Sequence, residues 1–326
     1  MIQPRRRQIL IAAGALLAAP RVVAQSSRIH RVAFLSSGRQ PDSAAGLKAF
    51  LEGLRALDYH EGRNFALDAR YGDYSAERTA KLAAEIAAGK PAVILASGGA
   101  IAAAIRQSPP LPVIFIHSGD PVDAGYADSL PRPGRNATGI SLLALDLILK
   151  RMEFLKEVRP RMRRVAFLAS PEHAGQKREL AASRAAADRI GVEVLYHEAR
   201  NPAELTAALP AVIAGKPDAA LLFSDALMVG QRQELAAFFL KHKMPSAAGW
   251  SAFPDSGHVL SYGPERSAVW RRAANFADRI IKGARPGDLP IELPTVFELV
   301  VNRGVAAAMK LTLPQSLLLR ADRVIE

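Results

Sequence analysis

No cysteine occurs in the 326 residues. Disulfides, thiolate nucleophiles and Cys-ligated metals are therefore excluded, and the absence suits an oxidising compartment. Aromatic residues are also scarce, at 6% of the chain with 2 Trp, and they do not interleave with the basic clusters at Arg159, Arg161, Arg163, Arg164 and Arg271, Arg272. Those clusters read as solvated helix faces, and no nucleic-acid partner is expected. No G-x-G-x-x-G or G-x-x-x-x-G-K-[ST] run follows an aliphatic strand, so nucleotide binding through those devices is unsupported. A G-x-S-x-G nucleophile elbow is missing as well. The histidines at 30, 60, 117, 173, 197, 242 and 258 fall at no metal-ligand spacing. These absences predict a protein with no catalytic residue, no metal and no cofactor, and leave a Rossmann-type enzyme as the weaker alternative.

What the chain does have is aliphatic bulk. Its hydrophobic share of 49% over 326 residues is enough to bury a sizeable core in two domains. Abundant Ala, Val, Ile and Leu suit parallel strands covered by helices on both faces. At the N-terminus, Arg5, Arg6 and Arg7 precede an apolar run from Ile9 to Ala19, too short to span a bilayer as a helix and free of acidic residues. Residues 1–24 read as an export signal cleaved after Ala24, with Val22 two positions before it. The order Arg6-Arg7-Gln8-Ile9-Leu10 fits the twin-arginine pattern, although a general secretory signal has a similar form. Cleavage there removes four arginines and lowers the formal net charge from +12 to +8.

The most informative feature is an internal repeat. Arg31-Val-Ala-Phe-Leu35 recurs as Arg164-Val-Ala-Phe-Leu168, and Ala88-Gly-Lys-Pro91 followed by Val93-Ile-Leu95 recurs as Ala214-Gly-Lys-Pro217 followed by Ala220-Leu-Leu222. Both copies alternate strand and helix. In the first, a helix is predicted from about Ala44 to Leu57, with Leu47, Phe50, Leu51 and Leu54 on one face, and another from Ala76 to Ala88. Matching helices in the second span about Gln176 to Ile190 and Ala203 to Ile213. The expected architecture is α/β: two similar doubly wound parallel-sheet lobes joined by a multi-strand hinge. Lobe one takes residues 28–139 plus about 257–290, and lobe two 140–256 plus about 291–326. Passages between them are expected at Gly139 to Ser141 and around Ser256 to Gly263.

Ligands of open α/β sheets bind outside the carboxyl ends of the strands. In lobe one that edge carries Ser36-Ser37-Gly38, Ser97-Gly98-Gly99 and Ser118-Gly119-Asp120. Lobe two contributes Ser170, Ser224-Asp225 and Gly249-Trp250-Ser251. The candidate ligand-binding set is thus Ser36, Ser37, Ser97, Gly98, Gly99, Ser118, Asp120, Ser170, Ser224, Asp225 and Trp250. Serines and aspartates at strand-to-helix junctions are also preferred N-caps. Asp225 is the candidate partner of an ammonium group. Trp250 and Phe253 are candidates for clamping an apolar face or for the core, whereas His117 reads as structural.

The whole pattern resembles the ABC-transporter substrate-binding family whose better-known members bind tryptophan or tyrosine. The resemblance is carried by Arg31-Val-Ala-Phe-Leu35, Glu61-Gly-Arg-Asn64, Ser118-Gly-Asp-Pro-Val122, Asn136-Ala-Thr-Gly139, Ser224-Asp225 and Pro314-Gln-Ser-Leu-Leu-Leu-Arg-Ala-Asp322. It implies the type I periplasmic-binding-protein fold, a small solute such as an aromatic amino acid or related carboxylate in the interlobe cleft, and closure on binding. It further implies a periplasmic monomer that delivers the solute to an ABC permease in the inner membrane, with ligand contacts at Ser97-Gly98, Ser118 to Pro121 and Ser224-Asp225. The segment Ala248-Gly-Trp-Ser-Ala-Phe-Pro-Asp255 departs from the family pattern. The alternative of another class is an extracytoplasmic sensor that presents solute to a membrane receptor.

Overall fold

The computed structural model describes residues 29–171, 176–223 and 225–326. The predicted export segment at 1–24 lies outside them, as does Ser224. In chain order the elements are β1 (His30–Ser36), α1 (Gln40–Ala56), β2 (Phe65–Tyr71), α2 (Ala76–Ala88), β3 (Val93–Ser97), α3 (Ala100–Ile105), β4 (Val113–His117) and β5 (Ala137–Ser141). They continue as α4 (Ile148–Val158), β6 (Arg164–Ala169), α5 (Gln176–Ile190), β7 (Glu193–Glu198), α6 (Pro202–Ala214), β8 (Ala219–Leu222), α7 (Ala226–Gly230), α8 (Arg232–Lys241) and β9 (Ser246–Ala248). Last come α9 (Ala252–Asp255), β10 (Leu260–Pro264), α10 (Arg266–Ile281), β11 (Phe297–Asn302), α11 (Arg303–Ala308), α12 (Gln315–Arg320) and β12 (Arg323–Ile325).

Lobe one is built on a five-stranded sheet in the order β2-β1-β3-β4-β5, parallel at every pairing. Lobe two repeats the pattern as β7-β6-β8-β9 and extends it through β10, β11 and β12. Only β10 and β11 run antiparallel there. The repeated Arg-Val-Ala-Phe-Leu strands are the two centres, β1 and β6, buried from Val32 to Leu35 and from Val165 to Leu168. Register refines the second half of the repeat. Val32 pairs with Val93 and Val165 with Ala219, so Val93-Ile-Leu95 corresponds to Ala219-Ala-Leu221 and not to the segment one residue later. The repeated Gly-Lys turns also match: Lys90 and Lys216 both take positive φ, 47° and 49°, closing α2 and α6 in the same way.

The chain returns to lobe one through α10, which packs along α1. Trp270 crosses Gly46 so closely that a Cβ there would lie 2.4 Å from the indole. Only a glycine lets the two helices approach at that point. Three passages join the lobes. The first leaves after β5, whose Ser141 N–H donates to Glu292 at 3.0 Å while the Glu292 N–H donates to Gly139 at 2.9 Å. The third, from Glu292 to Val296, therefore lies beside the first. The second comes later than expected: Leu260–Pro264 pairs with β9 and β11, which places residues 257–264 in lobe two and puts the passage at Pro264–Glu265. A Ser- and Gly-containing strand reads as a hinge when its two partners cannot be seen. Among the described residues no helix is long and apolar enough to cross a membrane.

A buried histidine in lobe two leads to a pH prediction. The His258 Nδ1 lies 2.8 Å from the Ser246 hydroxyl and its Nε2 lies 2.8 Å from the Arg232 carbonyl. Phe239 and Phe253 pack edge-on against the ring. The Nε2–H donates to the carbonyl and Nδ1 accepts from the hydroxyl, which holds the neutral ring. Burial, with the Arg232 charge adding to it, pushes the imidazole down to about 4. A depressed folded-state pKa means the stabilisation is complete above the unfolded value near 6.5 and is lost as pH falls toward 4. The stability advantage of wild type over His258→Gln should shrink by about 3 kcal/mol between pH 7 and pH 4 in urea unfolding. An advantage that stays level over that range would mean the ring protonates in place without cost. Comparing the two proteins cancels the opposite trend of Asp225, a buried carboxyl raised to about 6.

Candidate functional site

The strand order turns back on itself between β1 and β3 in lobe one and between β6 and β8 in lobe two. Those are the points at which doubly wound sheets bind ligands, and here the two meet across one cavity. It measures about 60 Å³ and is lined from lobe one by Ser36, Ser97, His117 and Ser118, and from lobe two by Asp225 and Trp250. Gly98, Asp225 and Ala226 form a common wall with a second compartment of about 230 Å³, where Tyr74, Arg106, Ser170 and Arg200 stand. The lobes touch across it: Cβ atoms placed on Gly38 and Gly98 would lie 3.5 and 3.6 Å from the Ala226 methyl.

The loop after β1 is held by its own hydroxyls. The Ser43 hydroxyl donates to Ser36 at 3.0 Å, and the Gly38 N–H donates to the same oxygen at 3.2 Å. Ser37 takes the Gly99 N–H at 3.1 Å, fixing the β1 loop against the β3 loop. Ser36, Ser97 and Ser118 reach the first compartment, Ser37, Gly99 and Ser170 the second, and Gly98 both.

Asp225 borders both compartments and is 7% exposed. Its Oδ2 accepts the Ser170 N–H at 3.0 Å and its Oδ1 the Met228 N–H at 2.9 Å. It thus caps α7 and ties the end of β6 to the start of that helix. Burial pushes its carboxyl up to about 6 against the pull of these N–H groups. Asp120 stands apart from the central cavity. It accepts the Val122 N–H at 2.8 Å within its own turn and reaches across the lobes to Arg178 at 3.4 Å. An acid in a Ser-Gly-Asp turn looks like a ligand group in sequence; in space the turn consumes it. Phe253 belongs to the core, fully buried against His258, and His117 is buried edge-on against Tyr126.

Four polar or aromatic residues in the wall were not anticipated. Asp42 and Ser43 come from the first turns of α1, and Arg266 and Trp270 from α10. Asp42 accepts from the Tyr74 hydroxyl and from the Arg39 N–H; burial, with Asp42 adding to it, raises the Tyr74 phenol far above its ordinary value. The Arg266 guanidinium lies 4.3 Å from the ring centroid of Trp250, joining α10 of lobe one to lobe two. Burial, with Arg232 adding to it, pushes Arg266 down to about 10. One local signal was available: an arginine at the first position of a helix opposes the helix dipole. Among the described residues no group of three His, Asp or Glu side chains could hold a metal ion.

Comparison with known proteins agrees with this fold. The family model described as "ABC transporter substrate binding protein" matches residues 33–325. A "Tyrosine-binding protein" of Clostridioides difficile is 24% identical over 264 residues, 80% of this chain and 75% of that one. Among solved structures, a conserved domain protein from Vibrio cholerae superposes with a TM-score of 0.86 at 23% identity, covering 91% of this chain and all of its own. An ABC domain from Streptococcus pneumonia in complex with L-Trp superposes at 0.83 and 20% identity, again over 91% of this chain and all of that one.

Proposed function

Because the chain belongs to the ABC transporter substrate-binding protein family, we propose that it is the solute-receiving component of an importer, holding one small molecule between its lobes and passing it to a permease in the inner membrane. The observation that carries this reading is the cavity between the lobes, whose two compartments are lined by the switch-point loops of both. A solute bound there contacts both halves. It therefore has a higher affinity for the closed arrangement than for an open one, which is the condition for shifting that equilibrium. Ser36, Ser37, Ser97, Gly98, Gly99, Ser118, Ser170, Asp225 and Trp250 are the proposed contacts, with hinge motion at the three passages. The basic, acid-free leader points to export into the periplasm, by the twin-arginine route, where the protein acts as a monomer. Two Trp residues in the wall, together with relatives described as tyrosine-binding and in complex with L-Trp, favour an aromatic amino acid or related small carboxylate.

A thermal-shift screen of refolded protein against amino acids, aromatic acids and sugars tests the assignment. A solute at about 100 times its Kd stabilises the folded chain by about 2.7 kcal/mol and should raise the melting temperature clearly. Small-angle scattering with that solute should show a smaller radius of gyration than without it. No shift with any small molecule would overturn the solute-binding reading, and a shift without compaction would discard the closure model.

A further inference from the structure

Arg266 is a cation of the cavity wall whose surroundings make sense only with something added. Among the described residues no carboxylate lies within ion-pairing distance of it and no carbonyl accepts from it; its contact is the Trp250 face at 4.3 Å. The preceding Glu265 does not help, because its oxygens accept the Ser267 and Ala268 N–H groups at 2.9 and 2.7 Å and so cap α10. Arg266 thus combines three unfavourable circumstances: a position at the positive end of a sixteen-residue helix, a second guanidinium, Arg232, close enough to repel it, and a setting only partly open to water. Each is relieved by an anion. With its carbon over the Trp250 ring and no acceptor for its N–H groups among the described residues, the guanidinium keeps its donors for a planar bidentate partner, and a carboxylate fits that role.

The same wall offers little to an ammonium group. Asp225 is engaged by two backbone N–H groups and Asp42 by Tyr74 and Arg39. The cavity that Arg266 borders is lined as well by the indole of Trp270 and the aliphatic Ile116, Leu142 and Val269. Resting on the cleft reading above, we infer that Arg266 seats the negative charge of the solute, which is a monocarboxylate with an apolar or aromatic body selected by its anionic end and not by an ammonium group. Arg266 also bridges the lobes by stacking on Trp250, so occupation of its donors fastens the closed form at the second passage.

Titration calorimetry with three matched probes tests this: L-tryptophan, indole-3-propionate, which lacks the amine, and L-tryptophanamide, which lacks the carboxylate. The acid without the amine should bind within about tenfold of the amino acid, and the amide at least about a hundredfold more weakly. Arg266→Gln should lower affinity for both acids about a hundredfold and erase the preference for acid over amide, while Arg266→Lys restores part of it. If another solute from the screen binds better, it and its neutral analogue take the place of the tryptophan pair. A neutral best solute, an amide that binds as well as its acid, or undiminished discrimination in Arg266→Gln would each overturn the inference while leaving the cleft reading intact. Binding of no solute at all would remove both. The acid-to-amide ratio of the unmodified protein decides the matter even should the Arg266 variants not fold.

Discussion

Replacing Ala226 with Arg should abolish solute binding while leaving both lobes folded. Ala226 opens α7 on the edge of lobe two and borders both compartments. Its methyl group faces the β1 and β3 loops of lobe one, where Cβ atoms added at Gly38 and Gly98 would lie 3.5 and 3.6 Å from it. An arginine side chain starting there must push against those loops or fill the two compartments it borders, and the loops are held in place by the Ser43–Ser36 and Gly99–Ser37 hydrogen bonds. The hinge is the compliant element, so the lobes should be wedged apart. A solute left with one lobe loses about half of its contacts, and an affinity loss of roughly three orders of magnitude, about 4 kcal/mol, is expected. Calorimetry reads that loss, and scattering should show an open form that no longer compacts. Ala226→Gly is the matched control and should bind as wild type does. Wild-type affinity in Ala226→Arg would mean that the solute is held without the close approach of the two edges.

The duplicated architecture was legible because its marks are local. Two Arg-Val-Ala-Phe-Leu strands and two Ala-Gly-Lys-Pro turns occur in the same order, and each produces the same piece of structure: a buried central strand and a helix closed by a lysine at positive φ. The serine- and glycine-rich loops were legible for the same reason, since each directly follows an aliphatic strand and strand ends determine where loops gather. Arg266, Trp270, Asp42 and Ser43 were not. They lie on helices, and which helical face borders the cavity depends on how α10 returns to α1, a contact between segments more than two hundred residues apart. Asp120 lies elsewhere than the central cavity. Its residue type and position fitted a ligand group, yet its own turn supplies the N–H donors that occupy it. The misplaced second passage has a similar origin, because β10 is recognisable as a strand only once β9 and β11 lie on either side of it.

Gly139→Ala should cost the protein about 3 kcal/mol or more, the sum of a strained conformation and an overpacked contact. Gly139 has φ +151°, a region side chains rarely enter, and it sits opposite Phe115 in the register of β4 and β5. A Cβ there would fall 2.0 Å from the Phe115 carbonyl oxygen and 2.7 Å from its nitrogen. Both are backbone atoms, so relief requires β5 to move bodily away from β4. That movement has consequences beyond lobe one, since β5 carries the first passage and the Gly139 carbonyl accepts the Glu292 N–H of the third. The melting temperature should drop by about 6–12 °C, and bound solute should recover less of it than in wild type, because the hinge that permits closure is itself displaced. Gly283→Ala separates the two causes. Gly283 also has positive φ, +101°, but nothing lies within 4 Å of its Cβ position, so its replacement should show the conformational cost alone, about 1 kcal/mol. Equal losses in the two variants would mean that β4 and β5 part easily and that the first passage is soft along its whole length. A much larger loss at Gly139 would place rigid strand pairing directly beneath the hinge, and the bending of the lobes would then be confined to the residues that follow Ser141.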